Sequence, residues 1–97
     1  MENELGKKVV VRTVNAGVHF GKLVAREGDE VVLDGARRIW RWFGANTCSE
    51  LAIAGLDEVR SRVAGPIDGH RIKGWIEILP CSDAAISKIE SAKWARQ

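Results

Sequence analysis

The first 43 residues read as β-patterned runs cut by tight-turn signals, which restricts this half of the chain to an antiparallel meander. Residues 7–14, Lys-Lys-Val-Val-Val-Arg-Thr-Val, are rich in β-branched side chains, which are stiff at χ1 and suit a pleated backbone. Asn15-Ala16-Gly17 supplies turn residues. Residues 18–26 make a second strand, with Val18, Phe20 and Val24 on one face and His19, Leu23 and Ala25 on the other. Glu27-Gly28-Asp29 is the next tight turn. A third strand begins at residues 30–34, is broken by Asp34-Gly35, and resumes after a bulge at Gly35 as residues 36–43.

The second half changes period. Thr47-Cys48-Ser49-Glu50 is a capping box, in which a threonine hydroxyl meets the backbone three residues on. It opens a short helix to about Ala54 with Leu51 and Ala52 buried, and Gly55 stops it. Residues 58–64 are a weak strand or a loop. Residues 70–79 form a better strand, with Ile72, Ile76 and Ile78 on one face and Arg71, Lys73, Trp75 and Glu77 on the other. Gly74 falls on the apolar face of that strand. Ser82 caps a C-terminal helix running to about Ala95, whose apolar stripe is Ala85, Ile86, Ile89 and Ala92, with Trp94 off its centre. The expected fold is α+β: an antiparallel β-sheet of about five strands packed with two helices, one short and central, one C-terminal. Residues 1–97 form one domain.

Composition narrows the functional classes. A chain that is 45% hydrophobic and 29% charged can order a single core. Its net charge of +2 is too small for a protein that coats DNA generally, yet basic residues cluster at Arg37, Arg38 and Arg41 and again at Arg60, Arg62, Arg71 and Lys73. No apolar run approaches the roughly 18 residues of a membrane span, and the N-terminus lacks the features of a signal peptide. A cytoplasmic protein without membrane partners is the expectation. Cys48 and Cys81 lack metal-ligand spacing and read as reduced thiols in or near the core.

The segment Ala36-Arg37-Arg38-Ile39-Trp40-Arg41-Trp42-Phe43 carries the chemistry. Guanidinium groups pair with phosphates, and indole rings accept flat bases or cations. Arg37, Arg38 and Arg41 are candidate phosphate ligands; Trp40, Trp42 and Trp75 are candidate stacking plates. Arg37 and Arg38 lie on opposite faces of a regular strand, so one pocket should not use both equally. The segment leads into Gly44-Ala45-Asn46, whose backbone or side-chain groups at the start of the helix are further candidates for an anion. Arg12, at the end of the first strand, can serve a site at the mouth of the sheet. The alternative is that the tryptophans are core or subunit-interface rings with arginine stems packed around them. His19 reads as a hydrogen-bonded structural histidine, and His70 as an exposed turn residue. Paired carboxylates, a phosphate loop and a nucleophile elbow are missing from the sequence, so neither an enzyme nor a cofactor is expected.

Several stretches together resemble a family of small phage proteins: Arg12-Thr13, Ala16-Gly17-Val18-His19-x-Gly21, Ala36-Arg37-Arg38-Ile39-Trp40-x-Trp42-x-Gly44-Ala45, Leu51-Ala52, Gly55 and Trp94. The Arg-Arg-Ile-Trp-x-Trp block is the specific part. In size and order of elements the chain is also similar to the phage anti-Thoeris sponge proteins. That resemblance implies a homodimer or higher homo-oligomer. It would bind an immune signalling nucleotide, such as a cyclised ADP-ribose derivative or a cyclic oligonucleotide, and hold it without cleaving it. Two other classes remain open: a small oligomeric accessory protein that binds single-stranded nucleic acid, and a phage structural or inhibitor subunit whose tryptophans only anchor interfaces.

Overall fold

The computed structural model describes residues 5–45, 47–57 and 59–92. Its elements run β1 (Lys8–Thr13), β2 (Val18–Glu27), β3 (Glu30–Arg41), α1 (Cys48–Ala54), β4 (Arg62–Val63), β5 (His70–Lys73), β6 (Trp75–Pro80) and α2 (Asp83–Ser91). The α+β architecture is the expected one, with an N-terminal meander, one central helix and one C-terminal helix.

The three valines of β1 explain the layering. Val9 and Val11 enter one apolar cluster and Val10 the other, and all three are fully buried. Alternate side chains of a strand leave opposite faces, so both faces of β1 must be covered. One face is covered by sheet closure. β2 pairs with β1 and β3, β6 pairs with the other edge of β1, and β5 pairs with β3. β5 and β6 are one strand interrupted at Gly74, which adopts φ +87°, a conformation that side chains with a Cβ resist. The chain therefore leaves β3 at β5 and arrives beside β1 at β6, and the sheet curls back on itself around Val9, Val11, Leu23, Val31, Leu33, Ala36 and Ile72. The carbonyl of Asp29 accepts the N–H of Gly74 at 2.7 Å and secures the bend.

The other face is covered by helices. Val10, Phe20, Ile39 and Val63 on the sheet meet Leu51 and Ala52 of α1 and Ile89 of α2. Thr47 caps α1 as the sequence requires, its hydroxyl accepting the Glu50 N–H at 3.1 Å. Ser82 caps α2 in the same way through the Ala85 N–H at 3.1 Å.

The bulge at Gly35 is present. Phe20 pairs with Arg37 and Lys22 with Asp34, so Gly35 and Ala36 together oppose Gly21. Asp34 and Asp68 lock it reciprocally: Gly69 N–H donates to Asp34 Oδ1 at 2.8 Å and Gly35 N–H to Asp68 Oδ1 at 2.7 Å. Two expectations need correction. The third strand runs unbroken through the bulge and ends at Arg41, not at residue 43. Trp75 packs inward and Ile76 is 47% exposed, because the β1–β6 register shifts between Arg12 and Thr13; Ile72 and Ile78 keep the common side expected of them. The 58–64 region, expected as a weak strand or a loop, contains the two-residue β4. Trp94 lies outside the described residues.

Candidate functional site

The Arg/Trp segment sends its side chains to different destinations, because β3 is wedged between β2 on one edge and β4 and β5 on the other. Arg37 is 5% exposed. Its Nε donates to the Ala64 carbonyl at 2.7 Å, Nη1 to those of Ile89 at 3.0 Å and Glu90 at 3.2 Å, and Nη2 to that of Ala92 at 2.9 Å. Four of the five N–H groups of a guanidinium are thereby taken. Burial lowers its pKa from the ordinary arginine value, and the nearby Glu90 charge opposes that shift. Arg37 is thus a cap on the end of α2 rather than a phosphate ligand. Arg38 and Trp40 share the opposite face of the strand and are exposed, Trp40 at 49%.

Trp42, just past the end of β3, meets Arg12 in a cleft of about 550 Å³ lined also by Val18, Thr47, Cys48, Ser49 and Glu77. Distant segments converge here. Arg12 and Glu77 are register partners on β1 and β6, and their side chains form an ion pair at 3.7 Å. Thr47, Cys48 and Ser49 come from the start of α1. The indole is half-buried against the helix-side core, so its position is held by packing while part of it lines the cleft. The cleft therefore presents an aromatic ring, a cation, a carboxylate and two hydroxyls. Its size falls within the roughly 300–1,000 Å³ of small-molecule pockets. Burial pushes the Cys48 thiol up, with Arg12 pulling the other way and Glu77 adding to the rise.

The remaining expected site residues lie elsewhere. Gly44 takes φ +90°, and a Cβ there would stand 3.1 Å from the Asp57 nitrogen. Its role is to let two backbones cross, beside the Asp57 N–H that donates to the Phe43 carbonyl at 2.8 Å. Ala45 is half-buried on the helix-side core. The Trp75 indole N–H donates to the Gly28 carbonyl at 3.1 Å while its half-buried ring packs against the core within the closed sheet, apart from the Trp42 cleft. Asn46 lies outside the described residues. His19 is fully buried; its Nε2 faces the Ala16 carbonyl at 2.7 Å and must carry the proton, while Nδ1 has no partner. Its ring stands edge-on to His70, centroids 5.3 Å apart.

A second concave patch lies on the other side of the same backbone. Arg41, Phe43, Val59, Arg60 and Arg62 line about 330 Å³. The Arg60 guanidinium stands 4.8 Å from the Phe43 ring centre and that of Arg41 5.7 Å from it. Sequence reading registers Arg60 and Arg62 only as a local basic cluster, and does not connect Phe43 or Glu77 with a site. Apart from Arg41, their partners are 16 to 65 residues away in the chain, and no local period reports such pairings. Among the described residues no three His, Cys, Asp or Glu side chains are grouped to hold a metal, and no helix is long and apolar enough to cross a membrane.

Residues 6–89 match the family described as Domain of unknown function (DUF6948), and the chain belongs to that family. No curated protein and no solved structure matches it.

Proposed function

We propose that this member of the DUF6948 family is a non-enzymatic protein that binds a compact nucleotide and sequesters it. The observation that carries this reading is the set of groups around Trp42. A nucleotide has a flat base, a sugar with hydroxyls and an anionic phosphate. The indole suits the base, Arg12 the phosphate, and Glu77 with the hydroxyls of Thr47 and Ser49 the sugar. The Arg12–Glu77 pair at 3.7 Å is half-exposed. Such pairs contribute only about 0–1 kcal/mol, so a ligand can separate them at little cost. Similarity to the sponge proteins supplies the ligand class, a cyclised ADP-ribose derivative or a cyclic oligonucleotide. Capture of such a signal in a host cytoplasm would blunt anti-phage defence. A second copy of the chain would deepen the open cleft, which fits the homo-oligomer that the same similarity implies.

The test is a titration of indole fluorescence and thermal stability against a panel of signalling nucleotides. A ligand at about 100 times its Kd should raise stability by about 2.7 kcal/mol. Trp42→Ala and Arg12→Ala should abolish the shift, and the nucleotide should be recovered chemically intact. The reading fails if no nucleotide shifts the transition, or if binding survives Trp42→Ala unchanged.

A second reading, binding of single-stranded nucleic acid, draws on the exposed Trp40 between Arg38 and Arg41. Salt separates the two. A strand binder loses affinity steeply as salt rises because it releases many counterions, whereas a pocket for a compact nucleotide loses far less.

A further inference from the structure

We propose that Arg41, Arg60 and Arg62, gathered around Phe43, form a binding site for phosphate oxygens that is separate from the Trp42 cleft. Arg41 and Arg62 are directly opposed where β3 meets β4. Like charges directly opposite in a ladder are destabilising. Arg60 adds a third positive charge to the same concavity. Its Nε is paired with Asp57 Oδ2 at 3.3 Å. Arg41 makes no ion pair or hydrogen bond among the described residues beyond its strand ladder, and Arg62 makes only a long one, at 3.4 Å, from Nη1 to the Ser61 carbonyl. Among the described residues, three guanidiniums face one carboxylate, and two of the positive charges have no carboxylate partner.

The ligand's chemistry follows from the geometry. A single carboxylate offers two oxygens and is satisfied by one guanidinium fork; three forks around about 330 Å³ suit a group with more oxygens and more charge, a phosphate. Phe43 is not free to stack a base, because two guanidiniums already stand over its ring. It serves as their platform. Asp57 Oδ1 accepts the N–H groups of Val59 and Arg60, each at 3.0 Å, and so fixes the loop that carries Arg60. The site thus recognises phosphate charge with no preference among bases, and it does not depend on the nucleotide reading of the Trp42 cleft. The phosphate can belong to a free phosphorylated metabolite or to a nucleic-acid backbone.

The test is side-chain NMR of the arginine Nε–H groups and the Phe43 ring, in parallel arms with pyrophosphate, a short oligothymidylate and sodium chloride at matched ionic strength. Pyrophosphate should shift Arg41, Arg60, Arg62 and Phe43, and leave Trp42 unmoved. The Arg41→Gln/Arg62→Gln double variant should weaken binding at least about tenfold. In phosphate-free buffer the same variant should melt no lower than the parent, since it removes a like-charge contact. Oligothymidylate binding that weakens with salt, with pyrophosphate only a poor competitor, identifies a strand as the source; tight pyrophosphate binding alone identifies a free metabolite. Equal shifts with chloride, or binding unchanged in the double variant, overturn the proposal.

Discussion

Arg37 Nη1 donates to the Ile89 carbonyl at 3.0 Å, joining the middle of β3 to the end of α2 across 52 residues of chain. With the contacts to Glu90 and Ala92, one cation satisfies carbonyls at the negative end of the helix. The most basic stretch of the chain therefore contains one arginine that is structural, flanked by others that are available.

Arg37→Ala should lower unfolding free energy by about 3 kcal/mol, since it leaves several carbonyls without a donor. Arg37→Lys should recover little, because one ammonium cannot reach the same set. Arg38→Ala should stay within about 0.5 kcal/mol of the parent, as expected of an exposed side chain. Urea unfolding decides this; equal losses at both positions would remove Arg37 from its structural role.

Gly21 lies opposite the Gly35–Ala36 bulge, and a Cβ there would stand 3.1 Å from the Ala36 Cα and 3.1 Å from the Asp34 carbonyl oxygen. Both neighbours are backbone and cannot swing aside. Gly21→Ala should cost about 1–3 kcal/mol through overpacking. A melting temperature equal to the parent's would show that the bulge yields.

Burial lowers the His19 pKa below its ordinary 6.5; the Ala16 carbonyl opposes this, while Arg38 and His70 reinforce it. The folded chain resists protonation more than the unfolded chain does, so stability is full above pH 6.5 and falls as pH drops toward the folded pKa, below which it levels off. Urea midpoints between neutral and mildly acidic pH should show this decline, and His19→Gln should flatten it. An unchanged slope in the variant assigns the titration to another group.

Burial also raises the thiol of Cys81, to about 12, and that of Cys48. Both should alkylate slowly at pH 8. Cys48 lines the Trp42 cleft and Cys81 does not. A bound nucleotide should therefore slow alkylation of Cys48 several-fold and leave Cys81 unchanged, read by mass spectrometry. Equal protection at both cysteines would point to general tightening of the fold instead of occupancy of the cleft.

Of the candidate site, local sequence reports the residue types but not their grouping. Arg12 and Trp42 stand 30 residues apart and meet only because β1 and the end of β3 flank β2. Phe43 acquires the Arg60 guanidinium because the Phe43 carbonyl and Ser61 hydroxyl tie the segment that carries Arg60 beside it. Conversely, Trp75 looked available because a regular strand would have turned it outward, and the register shift opposite Arg12 and Thr13 turns it inward.

What the chain specifies locally is the meander, the Gly35 bulge, both helix caps and the apolar stripes of α1 and α2. Each follows from steric preference, turn chemistry or hydrophobic period within a few residues. Tertiary structure alone decided that β5 and β6 split at Gly74 to close the sheet, that Arg37 became a helix cap, and that Trp42 rather than Trp40 or Trp75 joined Arg12. Those outcomes depend on which distant surfaces must be buried together, and a buried cation takes whatever acceptors that packing leaves unpaired.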